Sequence, residues 1–547
     1  MLRQRLAVLQ RQSCKLLVAH ISTDNSAEVT NNFPKTSIAL DIAKRYQQYL
    51  NEKTQMLHAS LLRSDLNKVA IVGAGISGLY SALLLQKYDV NVKIFEATDR
   101  PGGRVHTHWF EDKKNQYFEA GAMRLPVVKW QKPVFDLINV LNKQLPEFPI
   151  NLIPYCISCP SGNRVYVNGT KQKDNNIMTV DYANKHLDEL GFPPAADVRE
   201  EAGKMLHDAI YPVAKELLHD FPTALKKYDC MTLYYYLLNN RGWSHEKINF
   251  VEVMLSQTND FYLGLIDQVF LNSDFTGQII TELKTIDQGM SRLPEAMAKL
   301  IGEESIIYNA PIQSLKYIDG GRVEVGYSES HQKVRLENFD AVILALPPNY
   351  VRMIPNKPNW PVTLEHALRA IHFQPVYKIA LRFKYRFWER KDLRPSKGGQ
   401  SITDLPCRWI VYPSYGIGDK NKGVLLLYSW MADSNYWLSK PIFERVKLAL
   451  NDLQVLYPEV DIFSEYCGGN PDDENYLKEA LAVHWPFAAA VFYPSQFSYL
   501  YPVMKQPQGQ IFFTGEHLGM FHTWMGSALD SAKDTVGQVL GQEVEHL

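Results

Sequence analysis

Three glycines and one carboxylate have the spacing of a dinucleotide-binding turn. Gly73, Gly75 and Gly78 follow a short apolar run, KVAIV, and open a helical pattern. The first glycine allows a sharp turn, the second lets the backbone approach a pyrophosphate, and the third lets helix pack on strand. Glu96 lies about twenty residues further on, where a carboxylate accepts from a ribose hydroxyl and would repel the 2′-phosphate of NADP. The pattern predicts a bound adenine dinucleotide.

The elements that must position this turn come from distant parts of the chain. We predict strands at residues 68–72, 340–345 and 510–514, a helix at 77–88 and a closing helix at 526–540. Helical periodicity dominates the middle of the chain. This order predicts a discontinuous nucleotide domain with a second domain inserted into it and an active site between them.

Composition bounds the possible functions. The 547 residues allow two or three domains, and a formal net charge of −1 gives no field that would recruit nucleic acid or an anionic membrane. Six cysteines do not form a disulfide scaffold, and Cys156 and Cys159 are expected to be packed or free thiols. His106 and His108 lack a third ligand nearby, so no metal site is expected.

The N-terminal region is predicted to be an extension of the catalytic body. Four basic residues before Asp24 give it a faint transit-like character, but it contains no secretory signal, which favours a cytoplasmic location. Ile38, Ile42, Tyr46 and Leu50 fall on one helical face, so this helix is expected to dock on the body or on a second subunit. The extra helix favours a homodimer.

Four further motifs resemble those of the flavin-dependent amine oxidases, specifically their L-amino-acid oxidase branch. They are ATDRPGGRVHT (97–107), EAGAMRLP (119–126), GMSRLPEAM (289–297) and FFTGEHLGMFHTWMGSA (512–528). The resemblance implies an α/β fold: a discontinuous, Rossmann-like FAD-binding domain of the GR2 type, an inserted mixed-sheet α+β substrate domain and a helical subdomain. The implied boundaries are an N-terminal helical extension at 1–66, an FAD-binding domain at 67–126, 283–372 and 505–547, a substrate-binding domain at 127–172 and 373–504, and a helical subdomain at 173–282.

The resemblance also implies which residues hold FAD. Glu516 matches the residue that bonds the ribityl chain, Ile312 the position whose backbone holds the adenine, and Arg104 is suited to contact phosphate or flavin. The nearest cysteine, Cys467, lies outside the C-terminal motif, so the flavin is predicted to be non-covalent. The implied cofactor residues are Gly73, Ala74, Gly75, Ile76, Ser77, Gly78, Glu96, Ala97, Gly103, Arg104, Gly121, Ala122, Met123, Arg124, Ile312, Gly515, Glu516, Thr523, Trp524 and Ser527.

A guanidinium can grip an α-carboxylate bidentately, and Arg124 matches the family's carboxylate-binding arginine. An ion pair with Glu119 is the structural alternative. Lys378 lies in an apolar strand, where the family places a lysine against a water near flavin N5; a surface-facing lysine is the competing interpretation. The implied catalytic residues are Arg124, Lys378, Tyr428 and Trp524, and the implied substrate contacts are Arg124, Tyr428, Trp430, Thr523, Gln374 and Ala489. The family often has glycine where this chain has Thr523.

The resemblance implies FAD-dependent oxidative deamination of an L-amino acid, with oxygen as acceptor. Hydride transfer to the flavin gives an imino acid, which hydrolyses to a 2-oxo acid and ammonia, and oxygen yields hydrogen peroxide. A histidine among His207, His219 and His245 is a candidate base. The alternatives are an amino-acid 2-monooxygenase, an amine or polyamine oxidase, and a flavin-bearing interaction protein without turnover.

Overall fold

The computed structural model describes residues 33–34, 36–54, 66–111, 113–172, 174–257, 259–277, 279–329 and 333–547. The basic, transit-like leader lies outside these residues. Within them, none of the helices is both long and apolar enough to cross a bilayer. Cys156 and Cys159 are both buried, and their thiols donate to the carbonyls of Ser158 and Pro395.

A five-stranded parallel sheet, which we call the nucleotide sheet, carries the glycine turn. In spatial order its strands are Ile306–Ile307, Asn91–Phe95, Lys68–Val72, Ala341–Leu344 and Ile511–Phe513. Strands covered on both faces are apolar throughout, and Ala341–Leu344 is buried at every position. Glu96 and Glu516 each come after the carboxyl end of one of these strands. Because the strands are parallel, both acids lie at the same end of the sheet.

A seven-stranded mixed sheet, which we call the substrate sheet, forms the second layer. Its strands in order are Ala480–Val491, His372–Phe383, Gly423–Trp430, Trp409–Val411, Gln400–Thr403, Arg164–Tyr166 and Met178–Thr179. The last strand corrects the sequence-based interpretation, which gave residues 173–282 to helices alone. Met178 pairs with Val165 through an antiparallel ladder, so the substrate sheet extends into that segment.

Four of the six described α-helices between residues 180 and 276 begin at side chains that accept from their first free amides. Thr179, Asp220, Thr232 and Ser244 each accept a hydrogen bond from the amide three residues later. These caps fix where the four helices start. The α-helices of this region are Val180–Lys185, Ala202–His219, Phe221–Tyr228, Leu233–Asn239, His245–Met254 and Leu265–Thr276.

The remaining elements join these layers. Helix Lys132–Gln144 falls in a segment assigned to the substrate domain, yet its apolar face packs into the core around the nucleotide sheet. The other α-helices are Ile38–Thr54, Ile76–Lys87, Arg292–Ile301, Pro348–Arg352, Val362–Ala370, Met431–Leu438, Ile442–Leu456, Ile462–Glu465, Tyr501–Met504 and Met525–Leu540. The other strands are Thr107–Trp109 with Tyr117–Glu119, Leu125–Pro126 with Leu283–Ile286 and Leu152–Pro154, and Ile312–Ile318 with Arg322–Tyr327 and Arg335–Phe339.

The N-terminal helix Ile38–Thr54 docks on its own chain. Ile42 and Tyr46 are fully buried, and the Tyr46 hydroxyl donates to the carbonyl of Phe497. Ser37, just before the helix, donates to the buried carboxylate of Asp274 at 2.6 Å. Because the body of the same chain covers this apolar face, the helix gives no support for a second subunit, and the homodimer stays a prediction.

Candidate functional site

A cavity of about 880 Å³ lies where the nucleotide sheet, the substrate sheet and the helical subdomain meet. Its volume is within the range of ligand-binding sites, about 300–1,000 Å³. Of the predicted site residues, these line it: Gly73, Gly75, Ile76, Ser77, Glu96, Ala97, Gly103, Arg104, Gly121, Ala122, Arg124, Ile312, Gln374, Lys378, Tyr428, Trp430, Ala489, Gly515, Glu516, Thr523 and Trp524.

The glycine turn forms one end of this cavity. The helix Ile76–Lys87 begins after Gly75, and its first turn has neither a side-chain cap nor an acidic residue. Free amides at a helix start bind anions well. A Cβ added at Gly75 would meet nothing within 4 Å, whereas a Cβ added at Gly78 would lie 2.0 Å from the Gly73 carbonyl oxygen. Gly78 therefore serves packing, and Gly75 leaves open space beside the amides.

Both carboxylates that are predicted to bind the cofactor already accept hydrogen bonds from the protein. Glu96 accepts from the amides of Ala74 at 2.7 Å and Thr98 at 2.9 Å, which fixes its carboxylate beside the turn. Glu516 accepts from Arg104 at 2.9 Å and from the Ala490 amide at 2.5 Å. Arg104 and Glu516, which are both predicted to contact the cofactor, therefore form an ion pair with each other in this structure.

Strand register brings the predicted substrate residues onto one face of the substrate sheet. Lys378 lies directly opposite Tyr428, and Gln374 opposite Ala489. Gln374, Val376 and Lys378 alternate along one strand and all line the cavity, so they point to the same face. Trp430 follows Tyr428 on that face, with ring centroids 5.0 Å apart. The sheet thus builds a mostly aromatic wall around one lysine.

Arg124 reaches the cavity next to two tryptophans. Its guanidinium carbon is 5.7 Å from the ring centroid of Trp409 and 6.0 Å from that of Trp524. Its Nη1 is buried and has no hydrogen-bond partner among the described residues. Glu119, the alternative ion-pair partner, instead accepts from Thr107 Oγ1 at 2.8 Å and the Met290 amide. Arg124 is left with donors for a ligand.

Lys378 is 2% exposed, so the surface-facing interpretation is wrong. Its Nζ donates to the carbonyls of Glu119 at 3.0 Å and Gly121 at 2.5 Å. Burial lowers the pKa of Lys378 to about 7, although the Glu119 charge opposes this and the Arg124 charge adds to it. Burial likewise raises the pKa of Glu119 to about 7. Lys378 therefore changes charge near neutral pH inside the cavity wall.

Thr523 occupies a backbone conformation that favours glycine. Its φ is +76°, in the left-handed region, and it directly precedes Trp524. A β-branched residue is strained there, by about 1–3 kcal/mol. The Thr523 amide donates to Glu516 at 3.2 Å, and the Trp524 ring stacks on Phe275. These contacts hold the strained residue in the cavity wall.

Replacing Thr523 by glycine is expected to raise the free energy of unfolding by about 0.5–2 kcal/mol, because relief of strain outweighs the entropy cost of glycine. A thermal melt measures the effect. The matched control is Thr363→Gly, at an exposed site in the helix Val362–Ala370, which should not stabilise. A lower melting temperature for Thr523→Gly would contradict the strain.

Residues 76–227 and 237–540 match the family model described as flavin containing amine oxidoreductase. The chain belongs to this family. Among similar proteins is an L-amino-acid oxidase of Daboia russelii, 26% identical over 478 residues, which cover 86% of this chain and 88% of that protein. Another is an L-amino-acid oxidase of Vipera ammodytes ammodytes, 27% identical over 479 residues, covering 86% and 91%.

Solved structures share the fold of this amine oxidoreductase. A cyclohexylamine oxidase from Brevibacterium oxydans matches with a TM-score of 0.63 and 16% identity, covering 87% of this chain and 99% of that one. A putrescine oxidase bound to putrescine matches with a TM-score of 0.61 and 16% identity, covering 87% and 100%. At this identity the likeness shows the fold alone.

Four predicted cofactor residues of this amine oxidoreductase do not line the cavity: Ala74, Gly78, Met123 and Ser527. Their contacts show supporting positions instead. The Ala74 amide donates to Glu96, and the Ser527 hydroxyl donates to the Glu516 carbonyl at 3.2 Å. They lie directly behind residues that do line it.

Sequence reasoning missed part of the wall of this family member. Trp409, Trp485, Gln257 and Asp260 all line the cavity, whereas the three candidate base histidines do not. Trp485 donates to the Ala120 carbonyl at 2.8 Å, so it braces the segment that leads to Arg124. The available signal was an acid, Asp260, followed by two aromatic residues in a helical region.

Proposed function

We propose that the protein catalyses FAD-dependent oxidative deamination of L-amino acids to 2-oxo acids, with release of ammonia and hydrogen peroxide. The observation that carries the proposal is the unpartnered guanidinium nitrogen of Arg124 in a cavity walled by Trp409, Tyr428 and Trp524. An amine substrate has no group that needs this donor. An α-carboxylate does, and charge-assisted hydrogen bonds to arginine are strong.

The residues present fit a dinucleotide. Gly75 leaves open space beside the amides that begin the helix, and Glu96 is fixed at the edge of the nucleotide sheet. Of the described residues, no cysteine lines the cavity, which supports a non-covalent flavin. The bound flavin supplies an acceptor for the Cα hydride and passes its electrons to oxygen.

The residues of the chain position the substrate and supply charged groups to the cavity. Arg124 and the Tyr428 hydroxyl hold the carboxylate, which turns the Cα–H towards the cofactor end of the cavity. Burial raises the pKa of Tyr428 to about 12, opposed by the Arg124 charge, so its hydroxyl stays a donor. Trp430 and Trp524 exclude water, and Lys378 holds a proton that can stabilise negative charge developing on oxygen.

Anaerobic mixing of the purified yellow protein with each L- and D-amino acid tests the proposal. Bleaching by L-amino acids alone is expected, followed in air by one peroxide and one ammonia per turnover. Release of a carboxamide and carbon dioxide instead would show a monooxygenase. A flavin that stays oxidised with every amino acid would refute the proposal.

Replacing Gly75 by alanine is expected to weaken FAD binding about 10-fold or more without unfolding the protein. The added methyl group meets no protein atom, but it enters the space beside the helix amides, and overpacking costs about 1–3 kcal/mol. Flavin titration of the apoprotein measures affinity, and a thermal melt measures stability. The contrasting variant Gly78→Ala should instead lower stability. Unchanged FAD affinity in Gly75→Ala would place the pyrophosphate elsewhere.

A further inference from the structure

The cavity wall holds unpartnered polar atoms of two opposite kinds. Arg124 Nη1 and Trp409 Nε1 are buried donors, and Asp260 Oδ1 and Gln257 Oε1 are buried acceptors, all without hydrogen-bond partners among the described residues. All four residues line the same cavity. Because buried polar groups are ordinarily hydrogen-bonded, the ligand that fits must accept in one place and donate in another.

Asp260 differs from two acids near it, the buried Asp267 and the half-buried Glu252. Asp267 accepts from the Phe492 amide at 3.0 Å, and Glu252 accepts from the Asn259 amide at 2.8 Å. Asp260 is 8% exposed, and its Oδ1 has no donor within the part of the chain that the structure describes. Burial raises the pKa of Asp260 to about 8, and the charges of Asp267 and Glu252 add to it. A bound cation would relieve this cost.

The surroundings of Asp260 suit an aliphatic chain that ends in a cation. The Arg124 charge lowers the pKa of the Tyr428 hydroxyl, and the Asp260 charge raises it. Both charges therefore lie close enough to influence this one hydroxyl. Tyr428 and Trp430 pack 5.0 Å apart, and Trp409 packs on Trp430 at 4.6 Å. Such an aromatic wall accommodates methylene groups and attracts cations.

We infer that Asp260, together with Gln257, binds the cationic end of a basic side chain, so that lysine, ornithine or arginine is the preferred substrate. The inference rests on the proposed function and names its substrate class. Two acceptor oxygens suit an ammonium or guanidinium group with several donors. The α-amine must be neutral when Cα loses its hydride, so a carboxylate that stabilises the charged amine would oppose the reaction.

Steady-state kinetics with L-lysine and L-norleucine test the inference, because the two differ by the terminal amino group. In the wild type, kcat/KM for L-lysine should exceed that for L-norleucine about 10- to 100-fold, because a hydrogen bond between charged groups contributes a factor of this size. Asp260→Asn should lose this preference, with L-norleucine turnover kept within about threefold. Asp208→Asn, which removes an exposed carboxylate paired with Lys204, should keep the preference.

Two outcomes would overturn the inference while leaving the proposed function intact. One is a wild type that oxidises L-norleucine as well as L-lysine. The other is an equal loss on both substrates in a folded, flavin-containing Asp260→Asn protein, which would place Asp260 at the α-amine. A wild type that oxidises no amino acid at all would refute the proposed function instead.

A binding measurement tests the same site without turnover. 6-Aminohexanoate keeps the carboxylate and terminal ammonium of lysine but lacks the α-amine, and hexanoate lacks both amines. Calorimetry on the wild type should show 6-aminohexanoate binding at least about 10-fold more tightly than hexanoate. Equal affinities would overturn the inference even if Asp260→Asn failed to fold.

Discussion

Replacing Arg124 by alanine is expected to lower kcat/KM for L-amino acids about 10²- to 10³-fold. Truncating one partner of a desolvated charge pair costs about 2–5 kcal/mol, and each 1.4 kcal/mol is a factor of ten. Because the Arg124 Nη1 has no partner among the described residues, removal of this nitrogen breaks no hydrogen bond within the protein, and the variant is expected to fold. Steady-state oxygen consumption measures the effect.

Two comparisons make the Arg124 result specific. Arg199→Ala removes an exposed arginine paired with Asp197 and should leave kcat/KM unchanged. The wild type should also oxidise an amine poorly when that amine differs from a good amino-acid substrate only by lacking the α-carboxylate. Full activity of Arg124→Ala on amino acids would instead favour an amine oxidase in which Arg124 is structural.

Replacing Lys378 by methionine is expected to slow the reaction of the reduced enzyme with oxygen about 10²-fold, since removing one preorganised charge-stabilising donor costs this much in rate. Anaerobic reduction by substrate should change less than about threefold, because Lys378 bonds backbone carbonyls and does not hold the carboxylate. Stopped-flow absorbance separates the two half-reactions.

If the positive charge of Lys378 speeds the reaction with oxygen, the rate constant should depend on pH in a defined direction. With its pKa lowered to about 7, Lys378 is a cation at lower pH and neutral at higher pH. The wild-type rate constant with oxygen should therefore fall as pH rises through about 7, and the Lys378→Met profile should be flat. Lys185→Met, an exposed control paired with Asp181, should keep the wild-type profile. A wild-type profile that rises with pH would contradict a role for the cation.

Local patterns predicted much of the fold and many of the residues that line the cavity. The strand, glycine turn, helix and acid around Gly75 lie close together in sequence, so periodicity and spacing were sufficient to predict the βαβ unit. The predicted strand 510–514 and closing helix 526–540 were found at Ile511–Phe513 and Met525–Leu540. Arg124 and Lys378 were assigned from the family resemblance, and both line the cavity, although the sequence left Lys378 open between a buried and a surface-facing position.

Features that depend on packing between distant segments were not predictable in this way. The ion pair between Arg104 and Glu516 joins residues from opposite ends of the chain, and no local pattern encodes it. Asp260 Oδ1 has no donor among the described residues, and no local pattern encodes that absence. The positive φ of Thr523 comes from tertiary contacts, since threonine rarely adopts it by itself.

The docked N-terminal helix ties the start of the described chain to the wall of the catalytic cavity. Asp274 accepts from Ser37 and also from Trp130 at 2.9 Å, and the Trp130 ring lies 5.7 Å from that of Trp524. A protease that cleaved the chain after Ser37 would remove the first hydrogen bond of this series of contacts. Trimmed preparations should therefore be judged by catalytic rate as well as by yield.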